Sequence, residues 1–178
     1  MSVTALHVCG IAEVPRFAGL GITDIVSIGA KGTMPDVRAF HPQPSIHRFE
    51  FDDICHVAKP GEKDISPTLE DVRGIIAVAD QLLTRAQEVR VLYHCQGGIS
   101  RSTASAFIFC VRAGMTYEAA YHYILSVRGA LAPNVLMIKY ADHLMGHGGK
   151  MLDYIASHRP DAQEWVRKNG WAVEEASK

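Results

Sequence analysis

The chain has 178 residues, 48% of them hydrophobic and 21% charged, with a formal net charge of −1. That length suits one domain with a substantial core, and the near-neutral balance gives no electrostatic reason to expect nucleic acid or an anionic membrane surface as a partner. No run approaches the roughly 20 apolar residues of a membrane span, and no basic segment followed by a long apolar one opens the chain as a secretory signal would, so a cytoplasmic location is expected.

In chain order, residues 5–14 alternate in apolar character and predict an edge strand with a turn at Gly10. Pro15 to Leu20 predicts a short helical turn ended by Gly19 and Gly21. Asp24 to Gly29 is a compact apolar run, the pattern of a strand buried on both faces. Gly29, Gly32 and Pro35 break the chain into a loop with one short turn near 34–40. His47 to Phe51 alternates with its aromatics on one face and predicts another strand. Asp52 to Ser66 carries Pro60, Gly61 and several charges without periodicity, and reads as a long exposed loop of the kind that is uncommon unless it has a function.

A helix is then predicted, with Ser66 as N-cap, Pro67 at its first position, Glu70 and Asp71 in its first turn, and an end near Ala86. Leu69, Val72, Ile76, Ala79 and Leu83 make its apolar stripe. Val89 to Tyr93 predicts a strand reached by a right-handed crossover. Ser102 to Val111 is apolar almost all round, as a central buried helix is, and Gly114 ends it. Thr116 caps the next helix, and Pro133 opens another running to Leu144. Met151 to Ser157 predicts a short helix. Asp161 to Lys178 reads as either a helix docked by Trp165 and Trp171 or a frayed tail.

No internal repeat interrupts this order. The expectation is an α/β three-layer domain with a short, mostly parallel sheet flanked by helices. Residues 1–150 would form its main body and 151–178 a C-terminal extension of the same domain.

Cys9, Cys55, Cys95 and Cys110 are too sparse and irregular for a disulfide framework, and no two stand at zinc-site spacing. Free thiols are expected, with neither metal nor cofactor. His143 and His147 stand four apart but lack a third ligand.

The chemistry concentrates in residues 91–102, Val-Leu-Tyr-His-Cys-Gln-Gly-Gly-Ile-Ser-Arg-Ser. A strand that feeds a tight glycine-bearing loop into a helix N-terminus turns its backbone N–H groups into an anion-binding cup. A cysteine in such a cup is held as thiolate, since helix termini and nearby cations lower a thiol pKa from about 8.5. Arg101 adds a planar fork matched to two phosphate oxygens. Nucleophile, cradle and clamp together are the chemistry of phosphate-ester cleavage through a cysteinyl-phosphate. A buried structural thiol is the plain alternative for Cys95.

The pattern His94-Cys95, five residues, Arg101-Ser102 resembles the phosphate-binding loop of the cysteine-based protein tyrosine phosphatases. Arg128 followed by Pro133-Asn134, and the Gly21-Ile22-Thr23 entry into a strand, resemble elements of the compact, bacterial-type dual-specificity members. The likeness runs from about residue 20 to about residue 144 and leaves the tail outside it. It implies Cys95 as nucleophile and Arg101 as phosphoryl clamp, with Gln96, Gly97, Gly98, Ile99 and Ser100 binding the phosphate through their backbone. It also implies Ser102 as a hydrogen-bond donor to the Cys95 sulfur, with His94 and Asn134 in support of the loop. The general acid it calls for is an aspartate on an upstream loop. Asp53, directly after the aromatic strand, fits best; Asp64 and Asp52 remain alternatives.

The implied substrate is a phosphorylated protein, carrying phosphotyrosine or also phosphoserine and phosphothreonine, or a small phosphate ester. A phosphoinositide or RNA 5′-phosphate is a second option, although the loop offers no cation beyond Arg101. Sulfur transfer of the rhodanese kind and phosphopeptide binding without turnover are the readings from other classes. Oligomeric state has no signature in the sequence.

Overall fold

The computed structural model describes residues 3–173. Its centre is a four-stranded sheet of β1 (Val3–Gly10), β2 (Asp24–Gly29), β3 (Ser45–Glu50) and β4 (Val89–Cys95). All strands are parallel, in the order β1-β4-β2-β3, so β4 lies inside the sheet and delivers its loop at the centre of the carboxyl edge. In open parallel sheets that edge is where ligands bind.

Alternate residues of the strands enter two separate cores. Leu6, Val8, Val26, Ile28, Val91 and Tyr93 face the helices. Among those helices, α1 (Leu69–Thr84) contributes Val72, Ile75, Ala79 and Leu82, while α2 (Arg101–Arg112) is buried along nearly all its length. Cys9, Ile25 and Leu92 point to the opposite face, where Val14, Ile22 and Phe40 cover them. The third layer is therefore thin: a 3-10 helix over Ile11–Leu20 and the loop that follows β2. The predicted strand over 5–14 stops at Gly10, and the short turn expected at Pro15 is the latter half of this longer 3-10 segment.

The helical layer continues through α3 (Tyr117–Arg128), α4 (Val135–Leu144), α5 (Lys150–Ser157) and α6 (Pro160–Asn169). Met151, Leu152, Ile155, Ala156 and Ala162 enter the same core as the sheet. Buried Asp142, at the end of α4, starts α5 by accepting the N–H groups of Gly149 at 2.6 Å, Met151 at 2.7 Å and Leu152 at 3.2 Å. No helix among the described residues is long and apolar enough to cross a membrane.

Two helix starts differ from expectation, each for a local reason. The cap of α1 is Thr68: its hydroxyl accepts from Asp71 N at 3.1 Å, and Asp71 Oδ2 accepts from Thr68 N at 2.8 Å, a reciprocal capping box. The Ser66 hydroxyl accepts instead from Ala58 N at 3.2 Å, inside the preceding loop. The cap of α4 is Asn134, whose Oδ1 accepts from Leu136 and Met137 N at 3.1 Å each, so Pro133 stands just outside the helix.

Asp24 opens β2 fully buried. Its carboxylate accepts Arg85 Nη1 at 2.6 Å, Arg85 Nη2 at 3.0 Å and Thr23 Oγ1 at 2.7 Å, and lies 3.0 Å from His47 Nε2. Burial pushes this carboxyl up, but the bonds from His47, Arg85 and Thr23 outweigh it and bring it to about 2. Asp24→Asn should cost roughly 3 kcal/mol in urea unfolding at pH 7, because it breaks the buried two-pronged ion pair with Arg85. The folded value lies below the unfolded carboxylate pKa of about 3.9, so this stabilisation is complete above that value and disappears as pH falls toward about 2. The difference between wild type and variant should therefore shrink in acid.

Candidate active site

The carbonyls of the loop after β4 are all hydrogen-bonded. Gln96 O accepts from Ile11 N at 3.3 Å, Ile99 O from Ala132 N at 2.8 Å, and Ser100 O from Ala104 N at 2.9 Å. Gly97 O and Gly98 O are taken by one guanidinium, Arg128 Nη2 at 2.9 Å and Nε at 3.0 Å. With its carbonyls engaged in this way the loop has the make-up of a backbone nest, and Gly98 N points to the Cys95 sulfur. Arg128 is held in turn by Glu13, with Nη1 3.1 Å from Oε1 and 2.9 Å from Oε2. Glu13 Oε2 also accepts Gly10 N at 2.6 Å, and these bonds draw its carboxyl below the usual range. Gly10 and Cys95 are register partners of β1 and β4, so this clamp is built into the sheet beside the loop.

Cys95 lies at the floor of the nest, buried, with Gly98 N donating to its sulfur at 3.2 Å and Ser102 Oγ 3.2 Å away. Burial alone would raise the thiol. The hydrogen bonds of Ser102 and Gly98 and the charge of Arg101 exceed that effect, and the net direction is down. Cys9 and Cys110, equally buried but without such donors, are both pushed up to about 12. All four cysteines are free thiols, and only Cys95 is shifted toward thiolate.

Arg101, at the first position of α2, donates from Nη1 to Phe51 O at 2.7 Å. Its Nε is buried with no hydrogen-bond acceptor among the described residues, and Asp53 Oδ2 stands 3.8 Å from it as an ion-pair partner. His94 is buried, and burial, helped by the charges of Arg48 and Arg101 and opposed by the Cys95 backbone, lowers it to about 4, so it is a neutral packed imidazole.

The three aspartates considered for the acid separate clearly in space. Asp53 Oδ1 accepts Ser100 Oγ at 2.7 Å and Asn134 Nδ2 at 2.9 Å, and Oδ2 lies 3.8 Å from Arg101 Nε, which puts this carboxyl on the rim of the nest. Asp52 faces its own loop, with Oδ2 accepting Ile65 N at 2.8 Å. Asp64 is exposed farther along that loop. Asn134 Nδ2 also donates to Ile54 O at 3.1 Å, so one asparagine caps α4 with its oxygen and ties the aspartate loop with its nitrogen.

Glu13 went unseen in the sequence, where it reads only as the end of an apolar stretch. Its partner Arg128 lies 115 residues away. Among the described residues no group of three His, Cys, Asp or Glu side chains could hold a metal ion; His147 Nδ1 is 2.6 Å from the Tyr117 hydroxyl.

The arrangement of sheet, loop and helices is the fold of the cysteine-based tyrosine and dual-specificity phosphatases. Human DUSP28 superposes with a TM-score of 0.57 at 20% identity, over 80% of this chain and 94% of that one. The Cydia pomonella PTP-2 phosphatase gives 0.59 at 18% identity, over 79% and 85%. The human tyrosine phosphatase-like serine/threonine/tyrosine-interacting protein gives 0.58 at 20% identity, over 80% and 92%. No family model and no curated sequence matches the chain.

Proposed function

We propose that the protein is a phosphatase that hydrolyses phosphate monoesters, with phosphorylated protein, foremost phosphotyrosine, as its substrate. The observation that carries this reading is a single sulfur, shifted toward thiolate and bonded by Gly98 N, at the floor of a loop whose carbonyls are all hydrogen-bonded. A phosphoryl group seated there would meet the loop's N–H groups and the guanidinium of Arg101. Its transition state is loose and metaphosphate-like, so positioning and charge stabilisation supply most of the catalysis.

In the first step Cys95 Sγ forms a bond to phosphorus as the ester P–O bond breaks. The departing oxygen takes a proton from the Asp53 carboxyl. In the second, water attacks the cysteinyl-phosphate, Asp53 receives its proton, and the S–P bond breaks. The returning thiolate is held by Ser102 and Gly98 N, 3.2 Å away in each case. Apart from Arg101, the loop side chains Gln96, Ile99 and Ser100 carry no charge, which suits a single phosphate better than a polyphosphorylated inositol.

The test is direct. Purified protein offered p-nitrophenyl phosphate should release p-nitrophenol, and acid quench during turnover should trap one phosphate on the Cys95 peptide by mass mapping. Failure to hydrolyse the ester, with transfer of sulfur from thiosulfate to cyanide in its place, would overturn the reading.

A further inference from the structure

The loop that carries Asp53 is tied to the rest of the protein at its first residues. From residue 58 to 66 it closes mainly on itself: Ala58 N donates to Ser66 Oγ at 3.2 Å and Lys59 N to Glu62 Oε2 at 3.0 Å. Its ends are pinned to each other by Asp52 N to Ile65 O at 2.7 Å and Ile65 N to Asp52 Oδ2 at 2.8 Å. Behind His56 and Val57 a cavity of about 390 Å³ opens against Lys139 and Tyr140 of α4 and Asn169 of α6, so that part of the loop stands off the helices. Outward bonds gather on residues 53–55. Ser100 and Asn134 hold Asp53, Asn134 holds Ile54 O, and the indole Nε1 of Trp165 donates to Cys55 O at 2.6 Å.

The indole is a firm anchor. Helix α6 buries Ala162 in the core, is joined to the start of α4 through Arg159 Nη1 and Pro133 O at 2.8 Å, and is latched at its end by Lys139 Nζ to Asn169 O at 3.0 Å. Lys139 Nζ also stands over the Trp165 ring, 5.7 Å from its centroid. We infer that Trp165 is a positioning residue for catalysis: the C-terminal helix holds Cys55 O and thereby sets where the Asp53 carboxyl meets the leaving oxygen. This rests on the phosphatase reading and on Asp53 as its acid.

A residue that places a general acid has a signature that a merely structural residue lacks. Loss of its bond should slow esters whose leaving group needs a proton and spare those that leave as stable anions. In Trp165→Phe, which keeps the ring packing and removes the N–H, kcat/KM for phenyl phosphate should fall about five- to tenfold relative to that for p-nitrophenyl phosphate. Asp53→Asn should move the same ratio by about 100-fold or more. Arg159→Gln, which loosens the same helix without touching the indole, should shift the ratio the same way by less, and it decides the matter if Trp165→Phe does not fold. An unmoved ratio in the folded variants, or equal losses on both esters, overturns the inference and leaves the phosphatase reading intact. A wild-type protein that hydrolyses neither ester overturns both.

Discussion

Cys95→Ser should lower turnover of p-nitrophenyl phosphate by at least about four orders of magnitude while retaining phosphate binding. The nest can bring a thiol into the working range because the thiol starts at about 8.5. The same donors acting on a serine hydroxyl, whose ordinary pKa is far higher, leave it protonated and weakly nucleophilic at neutral pH. Binding depends on other atoms. The backbone of the loop stays in place as long as Arg128 holds Gly97 O and Gly98 O, and Arg101 keeps its fork. Calorimetric titration with inorganic phosphate should thus give similar affinities for wild type and Cys95→Ser, and a much weaker one for Arg101→Met. A serine variant that turned over at more than about a hundredth of the wild-type rate would place the nucleophile at another residue.

The strand-loop-helix shape of residues 91–102 was legible because it is contiguous. A strand, two glycines, a cysteine and an arginine within 12 residues leave little for tertiary structure to decide. Strand β2 was equally plain, since a strand buried on both faces carries apolar residues without alternation, as Ile25, Val26 and Ile28 do. Helix starts were less so: Ser66 and Thr68 are both good caps by chemistry, and the choice between them is made by Ala58 N, eight residues upstream of the serine. Pairs created by the sheet were hidden. Glu13 meets Arg128 only because β1 lies beside β4 with Gly10 opposite Cys95. The tryptophans looked alike in sequence, yet Trp165 docks on Cys55 O and Trp171 remains 56% exposed. Asp53 could be preferred over Asp64 by its place after a strand, but its contacts with Ser100 and Asn134 come from two other segments of the chain.

Gly98→Ala should be the most damaging single-methyl change in the loop. Gly98 has φ +73°, in the left-handed region that disfavours a side chain. A Cβ there would also lie 2.4 Å from Cys9 C, 2.5 Å from Gly10 N and 2.7 Å from Cys9 O, all backbone atoms of β1. These atoms cannot rotate away, because β1 is paired with β4 through this point, with Gly10 opposite Cys95. The loop must move instead, and with it go the bond from Gly98 N to the Cys95 sulfur and the two carbonyls held by Arg128. The combined strain and overlap should cost roughly 2–4 kcal/mol of stability and lower kcat/KM on p-nitrophenyl phosphate by at least about 100-fold. Gly114→Ala separates the two causes. Its φ is +90°, but its Cβ would enter open space, so it should lose about 1–2 kcal/mol and keep its activity. Alkylation of Cys95 by iodoacetamide across pH should move upward in Gly98→Ala alone, since a displaced N–H no longer favours the thiolate. A Gly98→Ala protein with wild-type kcat/KM and an unchanged alkylation profile would mean that the N–H groups of the nest do not activate Cys95.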